Sequence, residues 1–237
     1  MPSGLEKVYI RSLKEGDFVS IKGNYKKIRY AVRDVVYNRK NRKRLSNDNF
    51  SLITCDCTGG CVAKDLKVRM NSPTRNFYFN ADDYIKFCKN LDYYLSLVPE
   101  PYTGNYSGGG SEYLMASLGD LKMFLVHYPS VEQCQQEWLR RRDRVNKNNM
   151  FFVMNDRNYC TEEDIKMFDE LPFDNKVCFT HKKYPQYKST YYISGSENDN
   201  YLKSVMDYVH QWWIIRYYDQ FDFVTWLNNG GSDWRQL

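Results

Sequence analysis

Short continuous apolar runs stand at residues 50–54, 150–154 and 177–180, each followed at once by polar or glycine residues. Runs of that length with such ends predict buried strands leaving a sheet into turns. Between them, apolar residues recur three and four positions apart. The sets are Ile85, Cys88, Leu91, Tyr94 and Leu95; then Val131, Cys134, Trp138 and Val145; then Ile165, Phe168 and Leu171. That spacing predicts helices, with Asn80, Ser130 and Thr161 placed as caps and Asp164 strengthening the last start. Strands alternating with helices predict an α/β fold: three layers, Rossmann-like, a largely parallel sheet with helices on both faces.

The remaining pattern fills in around this frame. Residues 118–128 predict a strand ending at His127, residues 76–80 an extended segment after the Pro73 turn, and residues 191–193 an edge strand. Residues 201–209 predict a helix and residues 216–227 an aromatic-rich terminal helix or strand-helix piece. Residues 99–111, with two prolines and three successive glycines, form the clearest loop, a lid or a connector. Residues 5–20 lack a period and are expected as an irregular arm. From Tyr25 onward, Tyr25, Ile28, Val32, Val35 and Val36 recur at helical spacing, with Lys22, Lys26, Lys27, Arg29 and Arg33 mostly on other faces. This amphipathic helix either docks on the domain with a solvated basic face, or lies at an anionic membrane surface with residues 39–44 as a second electrostatic signal. The expected organisation is an arm and basic helix over residues 1–48 and a single α/β catalytic-type domain over 49–237.

Composition narrows the class. Hydrophobic residues make up 42% and charged residues 27% of 237, enough apolar content for a folded core. The net charge of +5 is concentrated near residues 39–44 and comes without a nucleic-acid recognition motif, so no nucleic-acid partner is expected. No apolar run reaches 18 residues and the first residues lack the core of a secretion signal, which predicts a cytoplasmic protein, with the inner face of the plasma membrane as the place where the basic helix would act. Seven cysteines, an odd number without paired spacing, predict free thiols. Twenty-one tyrosines and five tryptophans supply rings of the kind that line carbohydrate and protein contacts as well as cores.

The candidate chemistry sits at strand ends. Residues 51–61 (Ser-Leu-Ile-Thr-Cys-Asp-Cys-Thr-Gly-Gly-Cys) bring Asp56 and Cys57 to the end of the first strand; Asp156 and Arg157 follow the second; His181, Lys182 and Lys183 follow the third; His127 closes a fourth. Strand ends on one side of a parallel sheet converge on one crevice. Cys57 before a helix is either a nucleophile, its thiol pKa lowered by the helix N-terminus and a histidine serving as base, or a small residue fitted to a tight turn. Gly59 and Gly60 let backbone N–H groups approach a phosphate, or only make the turn. Cys55, Cys57 and Cys61 lack a second pair at zinc spacing, and no metal is expected. Arg141, Arg144 and Arg157 are planar donors suited to phosphate or carboxylate; surface ion pairing explains each equally well. His210, beside Trp212, reads as a packing or surface residue.

These residues together resemble a bacterial family known as a domain of unknown function, DUF1919, whose members are often labelled exopolysaccharide biosynthesis proteins. The carriers are Cys57-x-Gly59-Gly60, Asn71-Ser72-Pro73-Thr74, His127-Tyr128, Trp138 with Arg141, Arg144, Val145, Asn146 and Asn149, Asp156-Arg157 with Cys160, Phe179-Thr180 with Lys182, Tyr184 and Pro185, and residues 218–222. Asp56 and Thr58 depart from the family's usual Asn and bulky neighbours of the cysteine. The resemblance implies an α/β fold and a place in making or decorating surface polysaccharide, on a lipid-linked precursor at the inner membrane face. The expectation is a transferase acting on a sugar or lipid-linked saccharide acceptor, with glycosyl, phosphoglycosyl and Cys-dependent acyl transfer all open. Cys57, His181, Asp156 and His127 are the expected catalytic residues. Asp56, Gly59, Gly60, Asn71, Ser72, Thr74, Trp138, Arg141, Arg144, Arg157, Lys182 and Tyr184 are expected to bind substrate. No resident cofactor is expected, only an activated donor such as a nucleotide sugar or acyl-CoA. No Asp-x-Asp stands at a strand end, so a metal-bound nucleotide sugar is not expected. The alternative of another class is a non-catalytic carbohydrate-binding or scaffold protein of a membrane-associated assembly.

Overall fold

Burial on both faces decides which apolar runs become the central sheet. In a computed structural model that describes residues 15–108, 112–157 and 159–231, without the side chains of 15–23, the strands are β1 (Ser51–Thr54), β2 (Glu100–Pro101), β3 (Met115–Leu118), β4 (Leu121–Phe124), β5 (Met150–Asn155), β6 (Lys176–Thr180) and β7 (Thr190–Tyr192). The helices are α1 (Glu15–Arg33), α2 (Arg39–Arg44), α3 (Thr58–Leu66), α4 (Ala81–Lys89), α5 (Leu91–Ser96), α6 (Val131–Arg142), α7 (Glu162–Asp169) and α8 (Phe223–Asn229). Strands β1, β5, β6 and β7 lie side by side in that order, all parallel, with Ser51 opposite Met150 and Phe152 opposite Lys176.

The alternation of side chains explains why these strands are apolar throughout. Leu52, Phe151, Val153, Val177 and Phe179 face α3 and α8, while Ile53, Phe152, Met154 and Cys178 face α4 to α7. Each fully buried Val, Leu or Phe contributes about 1.5–3 kcal/mol, so both faces must be covered. The architecture is therefore α/β with helices on both faces of a parallel sheet. Two of the three caps expected from sequence are present, at α6, where the Ser130 hydroxyl accepts from Gln133 N–H, and at α7, where Thr161 and Asp164 cap each other. Asn80 precedes α4 but makes no side-chain cap bond and donates to the Tyr106 hydroxyl instead.

The structure also corrects sequence expectations. Residues 118–128 are not a strand of the main sheet: Gly119 at φ +62° and Asp120 turn the chain between β3 and β4, which form an antiparallel sheet with β2. The expected extended segment at residues 76–80 meets the small sheet through a bridge, Tyr78 to Phe124. The helix expected over 81–97 breaks at Asn90 (φ −124°) into α4 and α5. Residues 201–209 are turns rather than helix, because the Leu202 N–H is taken by Asp156 while the Leu202 and Val205 side chains fill the core. Of the expected irregular arm, residues 5–14 lie outside the described residues and the chain is helical from Glu15; residues 109–111 of the expected lid or connector also lie outside them.

The basic helix docks by the face that sequence reasoning left to solvent. α1 runs through a π turn (Asp34–Asn38) into α2 with helical backbone on both sides. Arg33 is fully buried and binds Asp65, Asp219 and the Ile214 carbonyl, while Arg29 donates to the Gln211 carbonyl and stacks 3.7 Å above the Tyr208 ring. Ile28, Val32, Val35 and Val36, which the docked-helix alternative would pack inward, are exposed. The reason is electrostatic: buried Asp65 and Asp219 require a cationic partner, and an apolar stripe over them would leave two carboxylates unpaired. Among the described residues no helix is long and apolar enough to cross a membrane.

Candidate functional site

β1 ends in a turn stitched together by its own polar residues. The Thr54 hydroxyl donates to the Asp56 carbonyl, Asp56 Oδ1 accepts from Thr58 N–H at 2.8 Å, and Asp56 Oδ2 accepts from the Asn155 amide at 2.9 Å. Asn155 closes β5, so this last bond ties the two strand ends together. Gly59 is required here: a Cβ would lie 2.8 Å from Thr54 Cγ2 and 3.3 Å from the Leu52 carbonyl. The turn therefore explains Asp56 and Gly59 as framework, with Asp56 also lining the cleft described below.

Cys57 follows at the start of α3, its Sγ 4.0 Å from the Phe77 carbonyl. Burial, and then the Asp56 carboxylate, push its thiol up to about 12. This is the reverse of the lowering that a helix N-terminus would give. Asp56 already occupies the Thr58 N–H, and its negative charge disfavours the neighbouring thiolate.

The next strand end carries a histidine and carboxylate pair. Asp156 is buried and its Oδ1 accepts from Leu202 N–H at 3.0 Å; its Oδ2 lies 2.8 Å from His181 N and 2.5 Å from His181 Nδ1. A carboxylate there holds the ring with Nδ1 protonated and Nε2 as the free acceptor. Nε2 has no protein partner among the described residues and is not sealed from solvent, since the side chain keeps 13% of its surface. His181 thus has the orientation of a base held by an acid.

Asp156 also forms part of a cleft of about 910 Å³ above the ends of β1 and β5. Its walls include Cys57, Gly60, Cys61 and Lys64 from α3 and its lead-in, Arg75, Asn76 and Tyr78 from the segment before α4, and Glu112, Tyr113, Val126 and His127 beside the small sheet. Arg157, Tyr159, Cys160, Asn200, Tyr201, Ser204 and Met206 complete it. Arg157 Nε is buried with no hydrogen-bond partner among the described residues, an expensive state for a guanidinium without a ligand. Arg75 and Lys64 add positive charge; Asp56 and Asp156 have both oxygens engaged by protein donors. Burial, with Glu112 and neighbouring phenols, pushes Tyr78 up, so its hydroxyl stays a donor. Two non-glycine residues with positive φ, Asn76 (68°) and Tyr159 (63°), line this cleft, and strained backbone of this kind collects at ligand sites.

The structure brings Asp56, Cys57, Gly60, His127, Asp156 and Arg157 to this cleft, with His181 behind Asp156. It does not bring the other expected residues there. Trp138 is core, its indole N–H donating to the Leu97 carbonyl at 3.0 Å. Arg141 is buried against the Tyr128 hydroxyl and Glu137, which satisfies it without a ligand. Asn71, Ser72 and Thr74 brace β1: the Asn71 carbonyl accepts from the Ser51 hydroxyl and the Thr74 hydroxyl from Thr54 N–H, with Ser72 bonded to Thr74. Asn71 and Arg144 line a separate polar recess with Lys67 and Arg69. Lys182 lies over the buried Tyr184 ring at 5.1 Å, outside the cleft wall. Sequence reasoning missed Arg75, Lys64, Tyr78, Tyr113 and Tyr201. Arg75 and Asn76 directly follow the Asn71 to Thr74 turn; the others carry no signal without the fold.

All seven cysteines are free thiols, and among the described residues no three His, Cys, Asp or Glu side chains are grouped as metal ligands. Residues 28–228 match the family described as Domain of unknown function (DUF1919). A protein of Haemophilus influenzae (strain ATCC 51907 / DSM 11121 / KW20 / Rd), named Uncharacterized protein, is 38% identical over 192 residues, which span 81% of this chain and 90% of that protein. With the match running from inside α1 to the end of α8, the chain belongs to the DUF1919 family.

Proposed function

We propose that this protein is a transferase that holds a phosphate-bearing sugar donor in the cleft above β1 and β5 and passes the sugar to a saccharide or lipid-linked saccharide acceptor, in the assembly of bacterial surface polysaccharide. The observation that carries the reading is Arg157, which lines the same cleft as Arg75 and Lys64 and whose buried Nε has no partner among the described residues. Guanidinium groups at such a site match the oxygens of a phosphate, and the rings of Tyr78, Tyr113 and Tyr201 suit a sugar or base face. The polysaccharide setting comes from the resemblance of the sequence alone.

In this reading the acceptor approaches over the end of β6, beside the cleft, where Asp156 keeps His181 in the Nδ1–H tautomer and Nε2 accepts the proton of the attacking hydroxyl. Arg75 and Arg157 stabilise the charge that gathers on the departing phosphate. Cys57, held as a thiol, packs the turn instead of attacking, which disfavours acyl transfer through it. The test is release of nucleotide from nucleotide sugars in the presence of saccharide or lipid-linked acceptors. Loss of release in His181→Ala and Asp156→Asn, with folding intact, supports the transferase; release by neither the parent nor any variant assigns the cleft to binding alone, as in a scaffold.

A further inference from the structure

The outward face of the N-terminal helix carries an apolar stripe, with exposed cations around it on the same helix. Ile28, Val35 and Val36 are 63%, 64% and 62% exposed and Val32 lies between them. These positions fall on one side of the rod, over about 12 Å at the rise of an α-helix. Lys26 and Lys27 precede the stripe and Arg39, Lys40 and Lys43 follow it, all exposed. The carboxylate within residues 24–44, Asp34, is occupied by Arg42 and Lys67 and does not neutralise this face. Apolar side chains in such number are normally buried, and here the chain spends its arginines on docking and leaves the aliphatic stripe uncovered.

A second, independent feature lies beside it. Trp212 and Trp213 are 68% and 57% exposed, on a loop fastened to the same helix: the Tyr25 hydroxyl and Arg29 both donate to the Gln211 carbonyl, and the Tyr25 ring meets Trp212 edge-on at 5.5 Å. Exposed tryptophans beside an aliphatic stripe and a ring of lysines form the composition of an element seated in the headgroup region of a bilayer, where indoles anchor and ammonium groups meet lipid phosphates.

We propose that the outward face of residues 26–43, with Trp212 and Trp213, binds the surface of an anionic lipid bilayer. A second copy of the chain is the other occupant such a stripe would suit. Charge argues against it: pairing two of these helices crowds their exposed cations, with no exposed carboxylate within residues 24–44 to offset them. An anionic surface meets every one of those charges favourably. The inference does not depend on what the cleft binds.

Co-sedimentation of the full chain with vesicles of equal parts phosphatidylglycerol and phosphatidylcholine tests it, against vesicles of phosphatidylcholine alone. Partitioning should be at least about tenfold stronger on the anionic vesicles, weaken as salt rises, and fall by about tenfold or more in Val32→Glu/Val35→Glu. Both valines are exposed, so an unchanged melting temperature shows that the variant is folded. Trp212→Ala should give a smaller loss and remove part of the blue shift in tryptophan emission on binding. Equal binding to both vesicle types, full binding by the double glutamate variant, or no binding by the parent chain overturns the proposal. A parent dimer that Val32→Glu/Val35→Glu turns into a monomer, without vesicle binding, overturns it in favour of a second copy.

Discussion

His181 Nδ1 lies 2.5 Å from Asp156 Oδ2, and the same oxygen accepts the His181 backbone N–H at 2.8 Å. One carboxylate thus fixes both the backbone and the ring of a residue on the neighbouring strand end. In Asp156→Asn the shape is kept but the charge that selects the Nδ1–H tautomer is gone. Nitrogen NMR of the histidine ring should show Nδ1–H in the parent protein and a mixed tautomer in the variant, and nucleotide release should fall by about 100-fold or more. An unchanged tautomer with unchanged turnover would remove the pair from the mechanism.

Cys57 should be inert to alkylation at neutral pH. With its thiol at about 12 against an ordinary 9.0, the thiolate fraction near pH 8 is lower by about a thousandfold than for an exposed cysteine. Mass spectrometry of iodoacetamide-treated protein should leave the Cys57 peptide unmodified until well above pH 9. The sign for stability follows: the fold favours the thiol, so this contribution is present in full below pH 9.0 and lost as pH rises toward 12. Rapid modification at pH 7 would restore the nucleophile reading.

Arg33→Met leaves Asp65 and Asp219 buried without their cation, although Tyr218 still donates to Asp65. Breaking a buried pair from one side costs about 3–5 kcal/mol, so urea unfolding should shift by that amount, with earlier proteolysis of residues 24–44. A shift under about 1 kcal/mol would mean that the helix docks by other contacts.

Trp138→Phe removes the indole N–H that meets the Leu97 carbonyl. Arg142 Nη1 still donates to that carbonyl, so the variant should lose only about 0.5–1.5 kcal/mol of stability, while ligand affinity in the cleft stays unchanged. Lost affinity in a folded variant would return Trp138 to the substrate site.

The central strands were legible because burial on both faces writes them as continuous apolar runs: residues 50–54, 150–154 and 177–180 became β1, β5 and β6 within a residue or so. The convergence of Asp56, Asp156 and His181 followed from the parallel sheet that those runs implied. What the sequence did not carry is which face of a helix meets which partner. The Ile28 to Val36 stripe looked like a packing face until Asp65 and Asp219, distant in sequence, claimed Arg33 for the inside. Arg141 and Arg157 are equal as sequence; only the neighbourhood separates them, since Tyr128 and Glu137 satisfy one and nothing among the described residues satisfies Nε of the other. The Gly119-Asp120 turn was readable as a hairpin and was hidden by the apolar residues on either side.

The central claim is that Arg75 and Arg157 receive a sugar-linked phosphate, and the most direct measurement is the melting temperature of the parent protein and of Arg157→Ala and Arg75→Ala against a panel of nucleotide sugars. A donor present at a hundredfold its Kd should raise the midpoint of the parent by about 5–10 °C. That rise should vanish in Arg157→Ala, shrink in Arg75→Ala and persist in Arg144→Ala, whose arginine lies in the separate recess. A rise that survives both cleft substitutions, or no rise with any sugar nucleotide, contradicts the account.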